Sequence, residues 1–293
     1  MGMTIRIDPI ADETPVVLPE PLSFGRVFTR RMFSERFEAG RGWHDPVIGP
    51  YRPLNLDPGA QILHAGQAIF EGTKAYLRAD GRLNLFRPDA NALRFNRSAA
   101  RMAMPALPSW RFIESIEALV RLEHEWAPSA AGASLYIRPV MIATEATFEV
   151  RAAREYTHFV VLSPAGPFFA SGFEPIAVQV AEEHIRAARG GTGAAKTPGN
   201  YAASLAAIEA SRARGYQQVL WLDAVERRFV EEAGAMNVAF VYDGREIVTP
   251  SLSGSILPGI TRDSILQLAP DLGFPVHEAR LDIDTIVADV TTL

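Results

Sequence analysis

The sequence predicts an α+β protein of two domains. Its 293 residues are 48% hydrophobic and 22% charged, which is typical of a globular chain long enough for two modest cores. Strand and helix patterns are mixed along the chain, and Asp243–Gly244 between apolar runs predicts a hairpin. Such hairpins favour α+β over a doubly wound parallel sheet. The expected parts are a small N-terminal α+β domain, an interdomain loop and a large C-terminal domain, at 1–164, 165–175 and 176–293.

The first domain is predicted to begin with a segment that wraps its surface. Residues 1–60 are rich in proline and polar residues and show no sustained period. Further on, β-branched and aromatic runs predict strands, and apolar residues at helical spacing predict helices. The strands are expected at 83–86, 134–144 and 157–164, and the helices at 89–102 and 113–127. The loop at 165–175 carries Pro and Gly around apolar residues, which fits either a plain linker or a loop that closes over a site.

The second domain has a more regular pattern. An apolar run predicts a strand over 175–183, and a helix over 200–215 is expected to end at Gly215. The remaining elements are a strand, the hairpin and a loop that enters a helix, at 217–223, 238–250 and 253–269. No internal repeat and no low-complexity tract is evident in the sequence.

Composition excludes several classes of function. The formal net charge is −5 and no basic stripe alternates with aromatic residues, so nucleic acid is not an expected partner. Cysteine is absent, which excludes disulfides, thiol nucleophiles and cysteine-based zinc sites and fits a reducing compartment. No apolar run is long enough to span a membrane, and the N-terminal residues do not resemble a signal peptide. We therefore expect a cytoplasmic protein without a metal site.

Lys196 is the leading candidate for a reactive side chain. It lies in GGTGAAKTPGNYAASL, a glycine-rich turn that runs directly into a helix of small and apolar residues. A lysine at such a junction is expected to be partly buried, and burial lowers the pKa of an amine because the charged form loses its hydration. The neutral amine can then attack a carbonyl group and form a Schiff base. From this segment alone, an ordinary loop lysine is the alternative.

Two features indicate a site for an anion. In LPGITRDSIL, the amides of Gly259, Ile260 and Thr261 precede a helix, and amides at a helix N-terminus attract phosphate together with the helix dipole. Arg94 lies on an amphipathic helix, and a guanidinium can hold phosphate through two N–H groups. An ordinary helix start and a solvated surface arginine are the alternatives when each feature is taken alone.

Glu232 in VEEAGAMN is the candidate acid. A carboxylate followed by small residues can approach a flat aromatic ligand closely and keep a ring nitrogen protonated. Glu231 is the competing candidate, because alternation along a strand directs neighbouring side chains to opposite faces. A nucleotide-binding P-loop is rejected for the nearby GTGAAKT, because that motif requires Gly directly before the Lys and this chain has Ala195.

Several ordered blocks together carry a family resemblance. They are LHAGQAIFEGTKAY, RFNRSAARMAMP, SLYIRP, GGTGAAK, GNYAAS, EAGAMN and LPGITRDS, which run from about residue 60 to the C-terminal region. The chain resembles the branched-chain amino-acid aminotransferases, which are pyridoxal-phosphate enzymes of fold type IV. The resemblance implies the two-domain fold of that family.

The resemblance also assigns cofactor contacts. It implies that Lys196 forms a Schiff base with pyridoxal 5'-phosphate and that Glu232 pairs with the pyridine nitrogen, which makes the ring an electron sink. Tyr201 is expected to hydrogen-bond the ring oxygen. The other implied cofactor contacts, most of them to the phosphate, are Arg94, Arg186 and the amides of Ile260 and Thr261.

The substrate contacts follow from the same resemblance. Phe70, Tyr136 and Arg138 match positions that receive an apolar side chain and a carboxylate, and the backbone at Ala235 is expected to face the substrate carboxylate. The implied reaction is ping-pong transamination between leucine, isoleucine or valine and 2-oxoglutarate. The family is dimeric, so we expect a homodimer.

Two departures from the family pattern leave alternatives open. Ala65 stands where the family usually has Tyr, which is expected to widen the pocket or weaken recognition of the carboxylate. The family sequences also continue beyond the position of Leu293, so the second domain is expected to be shortened at its C-terminus. The alternatives are a scaffold relative with altered chemistry, such as an epimerase or an aminotransferase of specialised metabolism, and a non-catalytic relative.

Overall fold

The structure is a computed structural model that describes residues 2–11, 14–167 and 174–291. The chain divides into two compact units, 1–174 and 175–293. Both units combine helices with β-sheets, so the predicted α+β class is confirmed. Of the predicted loop at 165–175, residues 168–173 lie outside the described parts. No helix in the described residues is both long and apolar enough to cross a lipid bilayer.

The first unit is built on one eight-stranded sheet. Its strands are β1 Arg6–Ile7, β2 Arg31–Glu38, β3 Gly42–Pro50, β4 Ala68–Phe70, β5 Thr73–Leu77, β6 Leu83–Leu85, β7 Ser134–Ala143 and β8 Glu155–Ala165. Its α-helices are α1 Gln61–Ala65, α2 Pro88–Arg101 and α3 Ser109–Leu122, with a short 3₁₀ turn at His124–Trp126. The strand order is β1-β3-β2-β8-β7-β5-β6, and β4 pairs with β7.

Alternation along β7 gives this sheet two different faces. Leu135, Ile137 and Met141 point into the main core, where they pack with apolar residues of α2 and α3. The intervening residues Tyr136 and Arg138 therefore project from the opposite face of the sheet. This face carries the side chains predicted to contact substrate.

The prediction that residues 1–60 only wrap the surface is wrong. Strands β2 and β3 form an antiparallel hairpin, and β2 also pairs with β8 inside the sheet. The pattern was hidden because Glu35 occupies a core position of β2, where it bonds the buried His158 ring and the Arg111 guanidinium. A charged residue at an inward position breaks the apolar alternation by which a strand is recognised.

The second unit contains two three-stranded sheets. Its strands are β9 Val178–Val180, β10 Gln218–Leu222, β11 Val230–Ala233, β12 Phe240–Tyr242, β13 Glu246–Pro250 and β14 Val276–Ala279. Its helices are α4 Pro198–Ala202, α5 Leu205–Ala213, α6 Ile260–Asp271 and α7 Ile283–Thr291. The strand orders are β11-β10-β9 and β12-β13-β14.

Two local predictions in this unit have different outcomes. The hairpin is confirmed: β12 and β13 pair antiparallel, and Asp243 and Gly244 in the turn between them both adopt positive φ, at 49° and 64°. The continuous helix over 200–215 is wrong, because the structure separates α4 from α5. At the break, the Ser204 hydroxyl donates to the Tyr201 carbonyl at 2.7 Å, and such local bonds compete with helix continuation.

Candidate active site

Lys196 lies at the end of the glycine-rich turn, two residues before α4 begins. Its side chain is half-buried, and its Nζ donates a hydrogen bond to the Tyr201 hydroxyl at 2.9 Å. Tyr201 lies on α4, so a single short helix fixes the phenol relative to the lysine. The result is a half-buried amine that is oriented by a directional contact to the phenol.

Asn200 holds the turn that precedes Lys196. Its buried amide donates to the carbonyls of Thr192 and Ala195, both at 2.9 Å, and accepts from the Thr192 hydroxyl at 2.7 Å. The turn is also tightly packed, since a β-carbon on Gly193 would lie 2.0 Å from the Ser255 carbonyl oxygen. Sequence reasoning missed Asn200, although its place in the GNYAAS block was a usable signal.

Glu232 is buried on β11, and both of its carboxylate oxygens accept hydrogen bonds. Its Oε2 lies 2.7 Å from Nε of Arg186, and its Oε1 accepts from the Leu257 amide at 2.7 Å. The Asn237 side chain donates to the same oxygen at 3.4 Å. Arg186 is in turn fixed by a bond from its Nη1 to the Ser255 carbonyl at 2.9 Å. The structure thus places Arg186 on the Glu232 carboxylate.

Burial is the largest influence on the charge of Glu232 and raises its pKa from 4.5 to about 7. The Arg186 guanidinium, the Leu257 amide and the Lys196 ammonium oppose this shift, and the Glu231 carboxylate adds to it. The charge of Lys196 therefore also favours the ionised form of this carboxylate.

Glu231 and Glu232 have different partners, as strand alternation requires. Glu231 accepts hydrogen bonds from the hydroxyls of Ser253 and Ser255. It lines a cavity of about 320 Å³ together with these serines. Glu232 instead pairs with Arg186, which favours Glu232 as the acid that meets a bound ring.

The raised pKa of Glu232 predicts a pH dependence of stability. Because the folded state binds the proton more tightly than the unfolded state, the contribution is fully present below pH 4.5 and is lost as the pH rises through 7. The span corresponds to on the order of 3 kcal/mol. The parent protein without cofactor loses this contribution between pH 5 and pH 8, and the Glu232→Gln variant has none to lose. We therefore expect the free energy of unfolding of the variant minus that of the parent protein to increase from pH 5 to pH 8. Urea denaturation across this range measures the difference, and parallel curves would contradict the assignment.

The N-terminus of α6 is tied to Glu232 through Asn237. Asn237 donates to the Leu257 carbonyl at 2.9 Å, and a β-carbon on Gly259 would lie 1.9 Å from its side-chain oxygen. Ile260 and Thr261 are the first residues of α6, where backbone amides and the helix dipole attract an anion. The loop that leads into this helix is therefore held in a fixed position relative to the buried acid.

Ala235 lies at the tip of a tight turn after β11. The backbones of Ala233 and Met236 exchange two hydrogen bonds of 2.9 Å around it, and Gly234 has a φ of 57°. Ala235 itself is exposed. Its peptide unit is thus presented outward by a rigid hairpin end.

Phe70, Tyr136 and Arg138 form one cluster in the first unit. Arg138 donates to the Tyr136 hydroxyl from Nη2 at 2.8 Å, and its guanidinium lies 4.6 Å from the centre of the Phe70 ring. Such stacking holds a cation against an apolar surface. These three predicted substrate residues are thus brought together on the face of the sheet opposite α2 and α3.

Gly72 is packed against this cluster and provides a test of it. A β-carbon at Gly72 would lie 2.2 Å from the Tyr136 hydroxyl oxygen, so Gly72→Ala must displace the phenol. We expect the KM for the amino acid to rise about 10-fold, as follows from the loss of the hydrogen bond between the Tyr136 hydroxyl and the charged Arg138 guanidinium, with a smaller change in kcat. Gly49→Ala is the control, because its nearest contact would be an ordinary 3.5 Å. Equal kinetics for both variants would remove Tyr136 from the substrate site.

Arg94 lies on the buried face of α2 and is not a solvated surface arginine. Its Nε and Nη2 contact the two carboxylate oxygens of Glu71 at 2.7 and 2.9 Å. Sequence reasoning missed Glu71, although it follows Phe70 directly in a resembling block. Arg94 and the cluster around Arg138 are the predicted site residues that lie in the first unit.

The match to a family model covers residues 68–290, and that model is described as amino-transferase class IV. The chain belongs to the class IV aminotransferases. Branched-chain-amino-acid transaminase 1 of Bacillus subtilis (strain 168) is 51% identical to this aminotransferase over 271 residues, which are 92% of this chain and 76% of the relative. The predicted family and enzyme class are therefore confirmed.

Solved structures support the same fold. The branched-chain amino acid aminotransferase of Escherichia coli is 27% identical, with a TM-score of 0.71, over 86% of this chain and 79% of that chain. The T.th. branched-chain amino acid aminotransferase, solved with pyridoxamine 5'-phosphate, is 26% identical, with a TM-score of 0.70, over 88% and 79%. The predicted fold type IV and pyridoxal-phosphate cofactor are confirmed for this aminotransferase.

The side chains and backbone amides described in the second unit fit the functional groups of pyridoxal phosphate. A half-buried amine lies beside a phenol, a buried carboxylate is held between donors, and the first amides of α6 are fixed relative to that carboxylate. These are the groups needed to meet an aldehyde, a ring nitrogen and a phosphate, respectively.

Proposed function

We propose that this aminotransferase transfers the amino group of leucine, isoleucine or valine to 2-oxoglutarate by a ping-pong mechanism, with the cofactor held on Lys196 as a Schiff base. The observation that carries the proposal is the joint placement of the Lys196–Tyr201 pair and the Glu232–Arg186 pair within one unit. The branched-chain preference is supported by the names of the relatives.

Each side chain of the second unit has a proposed task. When bound, the cofactor withdraws electrons from the substrate Cα–H bond. The substrate amine would displace the Lys196 amine, and the freed amine, oriented by the Tyr201 hydroxyl, would then take the proton from Cα. Glu232 holds the ring nitrogen protonated, and the Arg186 guanidinium favours the ionised form of that carboxylate and keeps it in place. The amides of Ile260 and Thr261 bind the phosphate, with Arg94 as a further contact.

The substrate pocket must accept both an aliphatic side chain and a carboxylate, because the two substrates differ in this way. Phe70 and Tyr136 offer an apolar surface, and the Arg138 guanidinium stacked on Phe70 offers a positive charge. The peptide unit at Ala235 receives the carboxylate common to both substrates. We also propose, from the family resemblance, that the protein is a cytoplasmic homodimer. Sedimentation equilibrium tests the oligomeric state.

The lysine assignment has a direct chemical test. Lys74 and Lys196 are the lysines of the chain, so reductive trapping of the cofactor followed by peptide mass spectrometry must distinguish two side chains and the α-amine. We expect the mass increase on the peptide that contains Lys196. A modified Lys74 peptide with an unmodified Lys196 peptide would overturn the assignment.

Substrate choice requires a separate experiment. Initial rates with leucine, isoleucine and valine against 2-oxoglutarate are expected to give parallel double-reciprocal lines, as a ping-pong mechanism demands. Alanine, phenylalanine and aspartate serve as control donors. Loss of optical purity of the amino acid without formation of an oxo acid would instead support an epimerase, the alternative suggested by Ala65.

A further inference from the structure

Glu71 connects two groups of predicted site residues in the first unit. It lies between β4 and β5 and is fully buried. Its backbone neighbours are Phe70, which stacks with Arg138, and Gly72, which packs against the Tyr136 hydroxyl. Its side chain points to α2, where it meets Arg94. A movement of this residue would therefore affect both groups.

The Glu71 carboxylate is saturated by donors of defined geometry. One oxygen accepts from Nε of Arg94 at 2.7 Å. The other accepts from Nη2 of Arg94 at 2.9 Å, from the Asn91 side chain at 2.7 Å and from the Gly72 amide at 3.2 Å. A two-point contact between carboxylate and guanidinium fixes the plane of the guanidinium as well as its distance. Asn91 precedes Arg94 by three residues on the same helix face and in turn holds the carboxylate.

The negative charge of Glu71 compensates the buried positive charge of Arg94. A guanidinium on the buried face of a helix is costly without a compensating charge. Glu71 provides that charge whether or not an anionic ligand is bound. The arginine is thus kept ordered in the protein without cofactor, and binding of phosphate does not have to order it.

We propose that Glu71 is a positioning residue that orients the Arg94 guanidinium toward the phosphate of the cofactor. This inference rests on the proposed function, in which Arg94 is a phosphate contact. Asn91 supports Glu71 in the same task. The proposal requires that Glu71 affects recognition of the phosphate group and leaves recognition of the ring unchanged.

The test compares two ligands that differ by the phosphate. The full chain without cofactor is titrated with pyridoxal 5'-phosphate and with pyridoxal, and binding is followed by tryptophan fluorescence. For Glu71→Gln we expect the Kd for pyridoxal phosphate to rise about 10-fold, the effect of weakening one charge-assisted contact, with the Kd for pyridoxal unchanged. For Asn91→Ala we expect a smaller rise with the same selectivity. Asp89→Asn removes an exposed carboxylate from the same helix and is expected to change neither constant.

The Arg94→Gln variant distinguishes the failure of this proposal from the failure of the proposed function. If Arg94→Gln weakens pyridoxal phosphate selectively but Glu71→Gln does not, the positioning role is overturned and the phosphate contact stands. If Arg94→Gln leaves the selectivity unchanged, both assignments are overturned. An equal loss for both ligands in Glu71→Gln and in Asn91→Ala would mean that Glu71 only maintains the fold. The double variant Glu71→Gln/Arg94→Gln is expected to lose no more selectivity than Arg94→Gln alone.

Discussion

Replacing Lys196 by alanine is expected to reduce turnover of leucine by about 10⁴-fold or more, since both the covalent attachment and the proton transfer depend on its amine. The hydrogen bond of Nζ to the Tyr201 hydroxyl is the structural basis of this expectation. The measurement is the rate of 2-oxo acid formation in a single turnover with the cofactor in excess.

Two further variants serve as controls for Lys196→Ala. Lys196→Arg keeps a positive charge next to Tyr201 but cannot form a Schiff base, so we expect it to be as inactive as Lys196→Ala. Lys74→Ala removes the other lysine, which lies on β5 opposite Tyr136, and is expected to keep turnover within about 10-fold, the scale of a changed surface contact near the substrate. An active Lys196→Arg variant would contradict the covalent role.

Replacing Glu232 by glutamine is expected to lower kcat by about 10²- to 10³-fold, the usual effect of removing one preorganised electrostatic contact. The amide fills the same space but cannot provide the negative charge that keeps a ring nitrogen protonated. Arg186 would also lose the negative charge of its partner at 2.7 Å and keep its bond to the Ser255 carbonyl. Steady-state kinetics with leucine, at saturating cofactor, measure the loss.

Glu231→Gln is the control for this effect. The two carboxylates are adjacent on β11, both are buried, and they differ in their partners: Glu231 bonds the serines at 253 and 255, and Glu232 bonds Arg186. We expect Glu231→Gln to change kcat by less than about 5-fold, as befits a residue remote from the charge that develops. Equal losses in the two variants, with equal thermal stability, would contradict a role that is specific to Glu232.

The sequence predicted those parts of the site whose chemistry follows from local order. The glycine-rich turn predicted the half-buried position of Lys196, and alternation on β11 predicted different partners for Glu231 and Glu232, while the choice of Glu232 came from the family resemblance. The amphipathic helix containing Arg94 was predicted within one residue at each end, since α2 is Pro88–Arg101. In each case the signal lies within one turn, one strand or one helix.

The features that the sequence did not predict depend on contacts between residues that are distant in sequence. Strand β2 was missed because Glu35 is stabilised at a core position by His158, which lies 123 residues away. The link from Glu71 to Arg94 joins a strand end to a helix, and neither residue type indicates its partner. The pattern of a single sequence indicates whether a residue prefers water or the core. It does not indicate which group compensates the charge of a buried residue.

The visible absorbance of the purified chain with pyridoxal phosphate, before and after addition of L-leucine, is the most direct test of the proposed transamination. We expect a visible band that is absent in Lys196→Ala, that L-leucine removes, and whose loss equals the amount of 4-methyl-2-oxopentanoate formed. A chain that shows no Lys196-dependent band, or one whose band is unchanged by L-leucine while no oxo acid is formed, would contradict the proposed transamination.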